Sequence, residues 1–305
     1  MQTLVTGATG FVGSRLVPAL REAGHDVSVL VRDADGYDPP ADVTVFEGDL
    51  LEPDTVEAAF EGVDAVYYLV HSMGRGVGFE RRDRTVATNA RRAAEAADVD
   101  RLIYLGGLGA DDDLSPHLRS RREVESVLAD GTVALTVLRA AVIVGDGSAS
   151  FRMIRQLATR LPVMVTPRWV HTPCQPIAID DVIAYLRCVL EAPETAGESY
   201  EIGGPEVLTY REMLLETARI LGGHEPIIVP VPVLSPRLSS YWVQLVTDVP
   251  AAVARPLIDG MTTPVVVTDR RLEERCSVDP VPFETAVYRS CVDESERIAG
   301  RQRSV

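Results

Sequence analysis

The chain has 305 residues, 46% of them hydrophobic, so it is long and apolar enough to bury a core and is not disordered throughout. Its 45 acidic residues outnumber its 30 basic ones and leave a net charge of −15. Such a surface repels phosphate backbones and anionic lipid headgroups, which argues against a nucleic-acid partner and a polybasic membrane contact.

The first 145 residues alternate short apolar runs with amphipathic stretches, a pattern typical of consecutive strand–helix–strand units. Six runs are almost continuously apolar or β-branched, as parallel strands buried on both faces are. The predicted strands are Thr3–Thr6, Val27–Val31, Val43–Glu47, Ala65–Val70, Leu102–Leu105 and Leu135–Leu138. The predicted helices between them are Phe11–Ala23, Asp54–Phe60, Arg81–Ala97 and Leu118–Leu128.

These elements predict an α/β fold, a doubly wound parallel sheet of the Rossmann type with the strand order 3-2-1-4-5-6. After Gly145 the alternation of apolar runs and amphipathic stretches is less regular. The elements predicted there are a helix over Phe151–Leu161, a helix beginning near Asp180, a helix over Tyr241–Leu257 and a strand-like run at Val265–Val267. We expect a main domain over residues 1–145, completed by about residues 176–205. Residues 146–175 and 206–305 would then form a small, largely C-terminal lobe for a substrate or partner.

The strongest local signal is a triplet of glycines directly after the first predicted strand. Gly7, Gly10 and Gly13 follow Thr6 and open the first helix, which is the context that a dinucleotide-binding turn requires. Gly7 allows the tight turn, Gly10 lets backbone amides approach a pyrophosphate, and Gly13 lets the helix pack closely. Free N–H groups at the helix N-terminus attract the anion. The residues predicted to contact the cofactor here are Thr6, Gly7, Thr9, Gly10, Phe11, Val12 and Gly13.

The spacing of these glycines resembles that of the extended and atypical short-chain dehydrogenase/reductase superfamily. The resemblance continues in Gly48-Asp49-Leu50, Leu138-Arg139-Ala140-Ala141 and Gln175-Pro176-Ile177, although Ala140 stands where the family usually has proline. The chain is most similar to NmrA-like proteins and to relatives of the 39 kDa NADPH-binding accessory subunit of respiratory complex I. The resemblance implies that Asp49 and Leu50 contact the adenine. It also implies that Leu69, Val70, His71, Gly106, Arg121 and Ala141 line the rest of the cofactor.

The end of the second predicted strand bears on the choice of cofactor. Arg32 can hold a ribose 2′-phosphate, whereas a 2′-hydroxyl is usually held by an acidic residue at this place. Asp33 follows directly, so the signal is mixed, and a solvated arginine is the alternative. The sequence favours NADP(H) over NAD(H).

The catalytic set of the superfamily is missing. The chain has no lysine, so all its basic residues are arginine, and this excludes Schiff-base chemistry, a Walker A site and the Tyr-x-x-x-Lys pair. Glycine stands in the serine place after the fifth strand. His117 and Arg121 align with the Tyr and Lys of the family and are the candidate catalytic pair, although His117 could be a polar residue at a helix start. His71 is a candidate cofactor contact or pocket wall, with proton transfer as a further possibility.

Two functions remain open at this point. One is an NADPH-dependent oxidoreductase acting on a quinone-like or other conjugated acceptor. The other is a non-catalytic NADP(H)-binding redox sensor or accessory subunit of a respiratory complex. Besides the dinucleotide, we expect an unknown small-molecule substrate as partner.

The remaining features concern the cell compartment. We expect the four cysteines to be small buried apolar residues, rather than a zinc site or a disulfide, because they lack metal-ligand spacing. No apolar run reaches the length of about 20 residues that spans a bilayer, and no secretion signal is recognisable. We therefore expect a cytoplasmic protein without a membrane span, leaving peripheral association open. The acidic, lysine-free composition resembles that of proteins from a salt-loving microbe, although a high-GC genome alone could explain part of it.

Overall fold

The computed structural model describes residues 1–71, 78–109, 114–222, 224–231 and 246–292. We number the strands in chain order as β1 (Gln2–Thr6), β2 (Asp26–Val31), β3 (Thr44–Glu47), β4 (Ala65–Tyr68), β5 (Arg101–Gly107), β6 (Ala134–Ala140), β7 (Ile143–Val144), β8 (Val163–Thr166), β9 (Pro173–Cys174), β10 (Ile177–Ala178), β11 (Ser199–Ile202), β12 (Leu208–Thr209) and β13 (Ile227–Pro230). The helices are α1 (Gly13–Glu22), α2 (Glu57–Phe60), α3 (Phe79–Ala96), α4 (Pro116–Ala129), α5 (Ala149–Arg160), α6 (Ile179–Glu191), α7 (Tyr210–Ile220) and α8 (Ala251–Gly260). A further helical stretch covers residues 283–292.

The predicted doubly wound sheet is confirmed. Seven strands run in the order β3-β2-β1-β4-β5-β6-β11, and all neighbours are parallel. This is the predicted order with β11 added beside β6. The strand order reverses between β1 and β4, and ligands bind at such a switch point because the flanking crossovers leave a crevice at the carboxyl ends.

Helices cover both faces of the sheet. On one face α1 and α6 bury residues such as Leu16 and Leu186 against Val5. On the other face α3 and α4 pack Ala90 and Val124 against strand residues. Because each strand is enclosed on both sides, the strands read as continuous apolar runs in the sequence.

A third apolar cluster joins α5, α7 and α8 with the short strands between them. This cluster includes Leu108 and Leu118, which lie just after β5 and in the first turn of α4. The segments after β6 therefore pack at the carboxyl edge of the sheet, next to the switch point.

Some predicted elements differ from the observed ones. The predicted helix Asp54–Phe60 is a 3-10 turn over Pro53–Thr55 followed by the short α2. The predicted helix Tyr241–Leu257 begins outside the described residues, and α8 starts only after Pro250, whose ring cannot donate an N–H to a continuing helix. The strand-like run at Val265–Val267 forms a single bridge to Cys174.

The cysteine prediction is wrong for two of the four residues. Cys188 in α6 is disulfide-bonded to Cys276, 88 residues later in the chain. Cys174 is a buried free thiol, as predicted. The pairing depends on how the chain segment around Cys276 returns to α6, which spacing along the sequence does not show. Within the described ranges, no helix is both long and apolar enough to cross a bilayer.

Candidate functional site

The turn after β1 is shaped by its glycines. Gly7 has φ +76°, and a Cβ there would lie 2.9 Å from the backbone carbonyl of Leu69. A Cβ on Gly13 would lie 2.3 Å from the Gly7 oxygen, so α1 packs directly on the turn. The Gly10 N–H donates to that same oxygen at 3.0 Å. These contacts admit no side chain at positions 7 and 13, and they hold the turn rigid.

The N-terminus of α1 is open. Its N-cap residue Val12 provides no side-chain hydrogen bond, and the first turn contains no acidic residue. Among the described residues, the backbone N–H groups of Phe11 and Val12 have no acceptor. Unsatisfied donors at the positive end of a helix bind an anion such as a pyrophosphate.

Two adjoining cavities extend from this turn. One, of about 190 Å³, lies towards β2 and β3, and the other, of about 420 Å³, lies towards β5, β6 and α4. Both are lined by Gly7, Gly10, Leu69 and His71, so they form one cleft that bends around the glycine turn. The smaller cavity is also lined by the predicted residues Thr6, Thr9, Arg32, Asp49, Leu50 and Val70. The larger one is lined by Phe11, Val12, Gly13, Gly106, His117, Arg121 and Ala141. The structure thus brings every sequence-predicted site residue to this cleft.

The residues fit a dinucleotide. The elongated cleft has an anion-binding helix end at its bend, and its two arms suit a nucleotide at each end. In the smaller arm, one carboxylate oxygen of Asp49 accepts from the Leu51 N–H at 2.9 Å, and Thr55 bonds the Asp49 backbone. These bonds fix the loop after β3 in the shape that forms the wall of the cavity.

Two arginines line the smaller arm. Arg32 lines it and is exposed, whereas Asp33 does not line it and instead accepts from the Gly36 N–H at 3.1 Å. The half-buried Arg82 of α3 lines the same arm. Sequence reasoning missed Arg82, because it lies in a run of arginines that reads as an exposed helix face.

In the larger arm, the end of β5 consists of Gly106 and Gly107 and carries no serine. A Cβ on Gly107 would lie 2.7 Å from the Leu118 side chain. Arg121 is held in place: its guanidinium donates to the Leu105 carbonyl and lies 4.9 Å from the centre of the Tyr104 ring. Burial raises the pKa of Tyr104 to about 12, and its hydroxyl donates to the Arg121 carbonyl. Arg121 is thus a fixed positive charge in the cavity wall.

Two histidines meet in the larger arm. The rings of His71 and His117 lie 5.3 Å apart, at an angle of 45°. His71 Nδ1 lies 2.9 Å from a carboxylate oxygen of Asp83, whose side chain is only 3% exposed. Burial lowers the pKa of His71, although the hydrogen bond to Asp83 raises it in part. Burial, helped by the charges of His71 and Arg121, lowers the pKa of His117 to about 3.

Asp83 was not identified from the sequence, but a signal exists. The buried face of α3 consists of Asp83, Val86, Ala87, Ala90 and Ala94. An acidic residue on an otherwise apolar helical stripe needs a polar partner. The periodicity of α3 therefore marks Asp83 as unusual, while only the fold shows that its partner is His71.

Comparison with known protein families agrees with this geometry. A family model described as NAD(P)H-binding matches residues 7–146. A (4-alkanoyl-5-oxo-2,5-dihydrofuran-3-yl)methyl phosphate reductase of Streptomyces griseus is 30% identical over 229 residues, covering 72% of this chain and 73% of that protein. A ceramide reductase of Caulobacter vibrioides is 28% identical, covering 75% and 73% of the two chains. A mitochondrial NADH dehydrogenase [ubiquinone] 1 alpha subcomplex subunit 9 of Dictyostelium discoideum is 27% identical over 69% of this chain but 61% of its own length.

Solved structures share the fold. A UDP-glucose 4-epimerase from Thermotoga maritima superimposes with a TM-score of 0.74 at 17% identity, covering 98% of this chain and 100% of that one. A short-chain dehydrogenase/reductase superfamily protein from Agrobacterium tumefaciens, solved with bound NAD, gives a TM-score of 0.69 at 18% identity, covering 99% and 100%. At these identities the likeness extends to the architecture alone.

Proposed function

Because the chain belongs to the atypical branch of the short-chain dehydrogenase/reductase superfamily, we propose that it is an NADPH-dependent oxidoreductase acting on a quinone-like or other conjugated acceptor. One observation carries this proposal: the glycine turn joins a nucleotide-sized arm to a larger, mainly apolar arm with space for a second molecule. When bound, a reduced nicotinamide supplies a hydride, and this chain's residues position it and exclude water. The open N–H groups of Phe11 and Val12 would hold the pyrophosphate, and Asp49 and Leu50 would line the adenine.

The acceptor class follows from the chemistry that the site lacks. The end of β5 carries Gly106 and Gly107 and no serine, and the chain has no lysine to lower the pKa of a tyrosine. A simple ketone needs strong help to accept a hydride, whereas a conjugated acceptor spreads the new negative charge over several atoms. The site therefore suits the second class.

The preference for NADPH is supported by charge. Arg32 and Arg82 both line the smaller arm, while Asp33 is tied into a turn with Gly36. A guanidinium forms paired hydrogen bonds with a phosphate, and an acidic residue beside it would oppose that anion.

The second molecule would lie against the lobe formed by residues 146–175 and 206–305. Ser148, Tyr210, Met261 and Val265 from these segments line the larger arm opposite the glycine turn. Tyr210, Met261 and Val265 belong to the same apolar cluster as Leu108 and Leu118. We infer that this lobe selects the acceptor.

The test starts from the purified full chain in high salt. Bound nucleotide is identified by mass spectrometry, and NADPH and NADH consumption is followed with menadione, cyclohexenone and ethyl acetoacetate. We expect tight NADPH binding and consumption with menadione or cyclohexenone in excess of that with ethyl acetoacetate. The Gly10→Asp variant is the control for background oxidation. Tight binding without consumption of NADPH with any acceptor would refute the reductase function.

That same outcome would support the second candidate, a non-catalytic NADP(H)-binding sensor or accessory subunit. The missing serine and lysine favour it, as does the similarity to the Dictyostelium discoideum complex I subunit. In this case the nucleotide would stabilise the fold without turning over, and its release would be slow.

The working environment is a further proposal. The net charge of −15 without a single lysine supports a salt-rich cytoplasm. Stability that rises with potassium chloride up to molar concentrations would support it, and maximal stability in dilute buffer would argue against it.

A further inference from the structure

One buried carboxylate, that of Asp83, lies next to the cleft but lines neither of its two cavities. Asp83 lies in the first turns of α3, on the face that otherwise buries valine and alanine. A carboxylate with 3% of its side chain exposed is costly unless it is paired and hydrogen-bonded. It forms a 2.9 Å contact with His71 Nδ1, so the carboxylate fixes the orientation of the imidazole ring.

This contact also sets which ring nitrogen of His71 carries the proton. A carboxylate only accepts hydrogen bonds, so the neutral imidazole must hold its proton on Nδ1 and donate it to Asp83. The other nitrogen, Nε2, is buried and has no hydrogen-bond partner among the described residues. His71 lines both arms of the cleft, which puts it at the junction between the two cavities. An unpartnered ring nitrogen at this junction is available to a ligand.

We propose that His71 and Asp83 form a proton-transfer pair, in which His71 exchanges a proton with the substrate oxygen through Nε2 and Asp83 positions the ring. This inference rests on the proposed reductase function: the conjugated acceptor spreads the charge that the hydride adds, and the pair supplies the proton that its oxygen then takes up. An aspartate that holds a histidine from behind is a general device for fixing its tautomer and stabilising the imidazolium.

The step balances in the direction of reduction. The hydride adds two electrons to an electrophilic carbon of the acceptor, and an electron pair moves from the carbonyl π bond onto its oxygen. The imidazolium of His71 transfers its Nε2 proton to that oxygen and becomes neutral, while its other proton stays on Nδ1, hydrogen-bonded to Asp83. Water then restores the proton on Nε2.

His117 is less suited to this task. Among the residues that the structure describes, the charged and titratable groups facing His71 are Asp83 on α3 and His117 and Arg121 on α4. Arg121 and His71 both disfavour a proton on His117, whose pKa falls to about 3, and no described carboxylate bonds its ring. His117 therefore lacks the carboxylate partner that stabilises an imidazolium on His71, and it acts as a wall of the cavity.

The first experiment reads the tautomer directly and needs no turnover. The chain contains only five histidines, so nuclear magnetic resonance of protein labelled with ¹⁵N-histidine resolves each ring. We expect neutral His71 to carry its proton on Nδ1, with Nε2 unprotonated, in the wild type with and without NADP⁺. In Asp83→Asn the pKa of His71 should fall, because the charge and hydrogen bond that raise it are lost. A proton on Nε2 in the wild type would overturn the pair.

The second experiment is the pH profile of NADPH consumption with the acceptor that the wild type reduces fastest. The rate should fall as the pH rises through the pKa of His71, which lies below 6.5 because burial lowers it. His71→Gln should lower kcat by about 10²–10⁴-fold and remove this dependence. Asp83→Asn should move the fall to lower pH and lower kcat by roughly 10- to 100-fold, with NADPH affinity retained within about threefold.

His117→Gln is the matched control, because it changes the neighbouring ring and leaves the pair intact. It should lower kcat by less than about tenfold and keep the pH dependence. If His71→Gln costs less than about threefold while the wild type reduces the acceptor, the pair is refuted and the reductase function stands. If the wild type consumes no NADPH with any acceptor, the reductase function itself is refuted, and the pair is refuted with it.

Discussion

Removal of the two arginines that line the smaller arm is the sharpest test of cofactor choice. Arg32 follows β2 and Arg82 lies in α3, and both line the cavity in which a 2′-phosphate would lie. Each can form a charge-assisted hydrogen bond with that phosphate, which is worth about 1.5–3 kcal/mol. NADH has no 2′-phosphate, so the loss should be confined to NADPH.

The burial of each arginine sets the expected size of the effect. Arg32 is exposed, so water screens its interaction, and Arg32→Ala should weaken NADPH binding by roughly 10-fold. Arg82 is half-buried, and Arg82→Ala should weaken it by up to about 100-fold. The double variant should lose less than the product of the two effects, because both residues would contact the same phosphate.

The assay is a fluorescence titration of each variant with NADPH and with NADH. Arg81→Ala is the matched control, since Arg81 is an exposed neighbour on α3 that does not line the cavity. It should leave both affinities unchanged. Equal losses for NADPH and NADH in Arg32→Ala and Arg82→Ala would show that neither residue recognises the 2′-phosphate.

Three further predictions concern binding, stability and pH. A Cβ on Gly10 would lie 3.1 Å from the backbone oxygen of Gly7, which is a tight contact, so Gly10→Ala should weaken nucleotide binding. Gly10→Asp should weaken it further, by more than about 100-fold in the same titration, because its carboxylate also repels the pyrophosphate. Arg101→Met should lower the free energy of unfolding in urea by about 2–4 kcal/mol, because the buried guanidinium donates hydrogen bonds to the Thr195 hydroxyl and to backbone carbonyls at the C-terminal end of α6. A loss below about 1 kcal/mol would contradict this role. Burial raises the pKa of Asp181 to about 6 from 3.8, so this group lowers stability as the pH rises between these values. The side chain of Asp181→Asn can still accept the hydrogen bond from the Val281 N–H. The free energy of unfolding of this variant, relative to that of the wild type, should therefore rise by about 1–3 kcal/mol between pH 4 and pH 7. The same difference in unfolding free energy at both pH values would refute the sign.

The sequence by itself determined the sheet and the cofactor turn. Both are encoded by signals that lie close together in the chain: apolar runs of strand length, and Gly7, Gly10 and Gly13 between β1 and α1. The resemblance to a known superfamily extended this to residues such as Asp49 and Arg121, all of which line the observed cleft. Local patterns suffice here because a parallel sheet buries each strand on both faces and the turn must follow the first strand.

The tertiary structure decided the features that depend on partners distant in the sequence. β11 adds a seventh strand beside β6, and Cys188 meets Cys276 across 88 residues. Short strands and scattered cysteines carry no signal of their own partners.

The chemistry of the larger arm was decided in the same way. His71 lies three residues after β4 and Asp83 lies in the second turn of α3, and their 2.9 Å contact forms only because the crossover returns α3 to that edge of the sheet. Leu118 fills the space beside Gly107, and His117 is buried against His71. A side chain's protonation depends on the water and charges around it, and these are set by packing. Sequence could therefore name the histidines, while the fold determined which of them has a carboxylate partner.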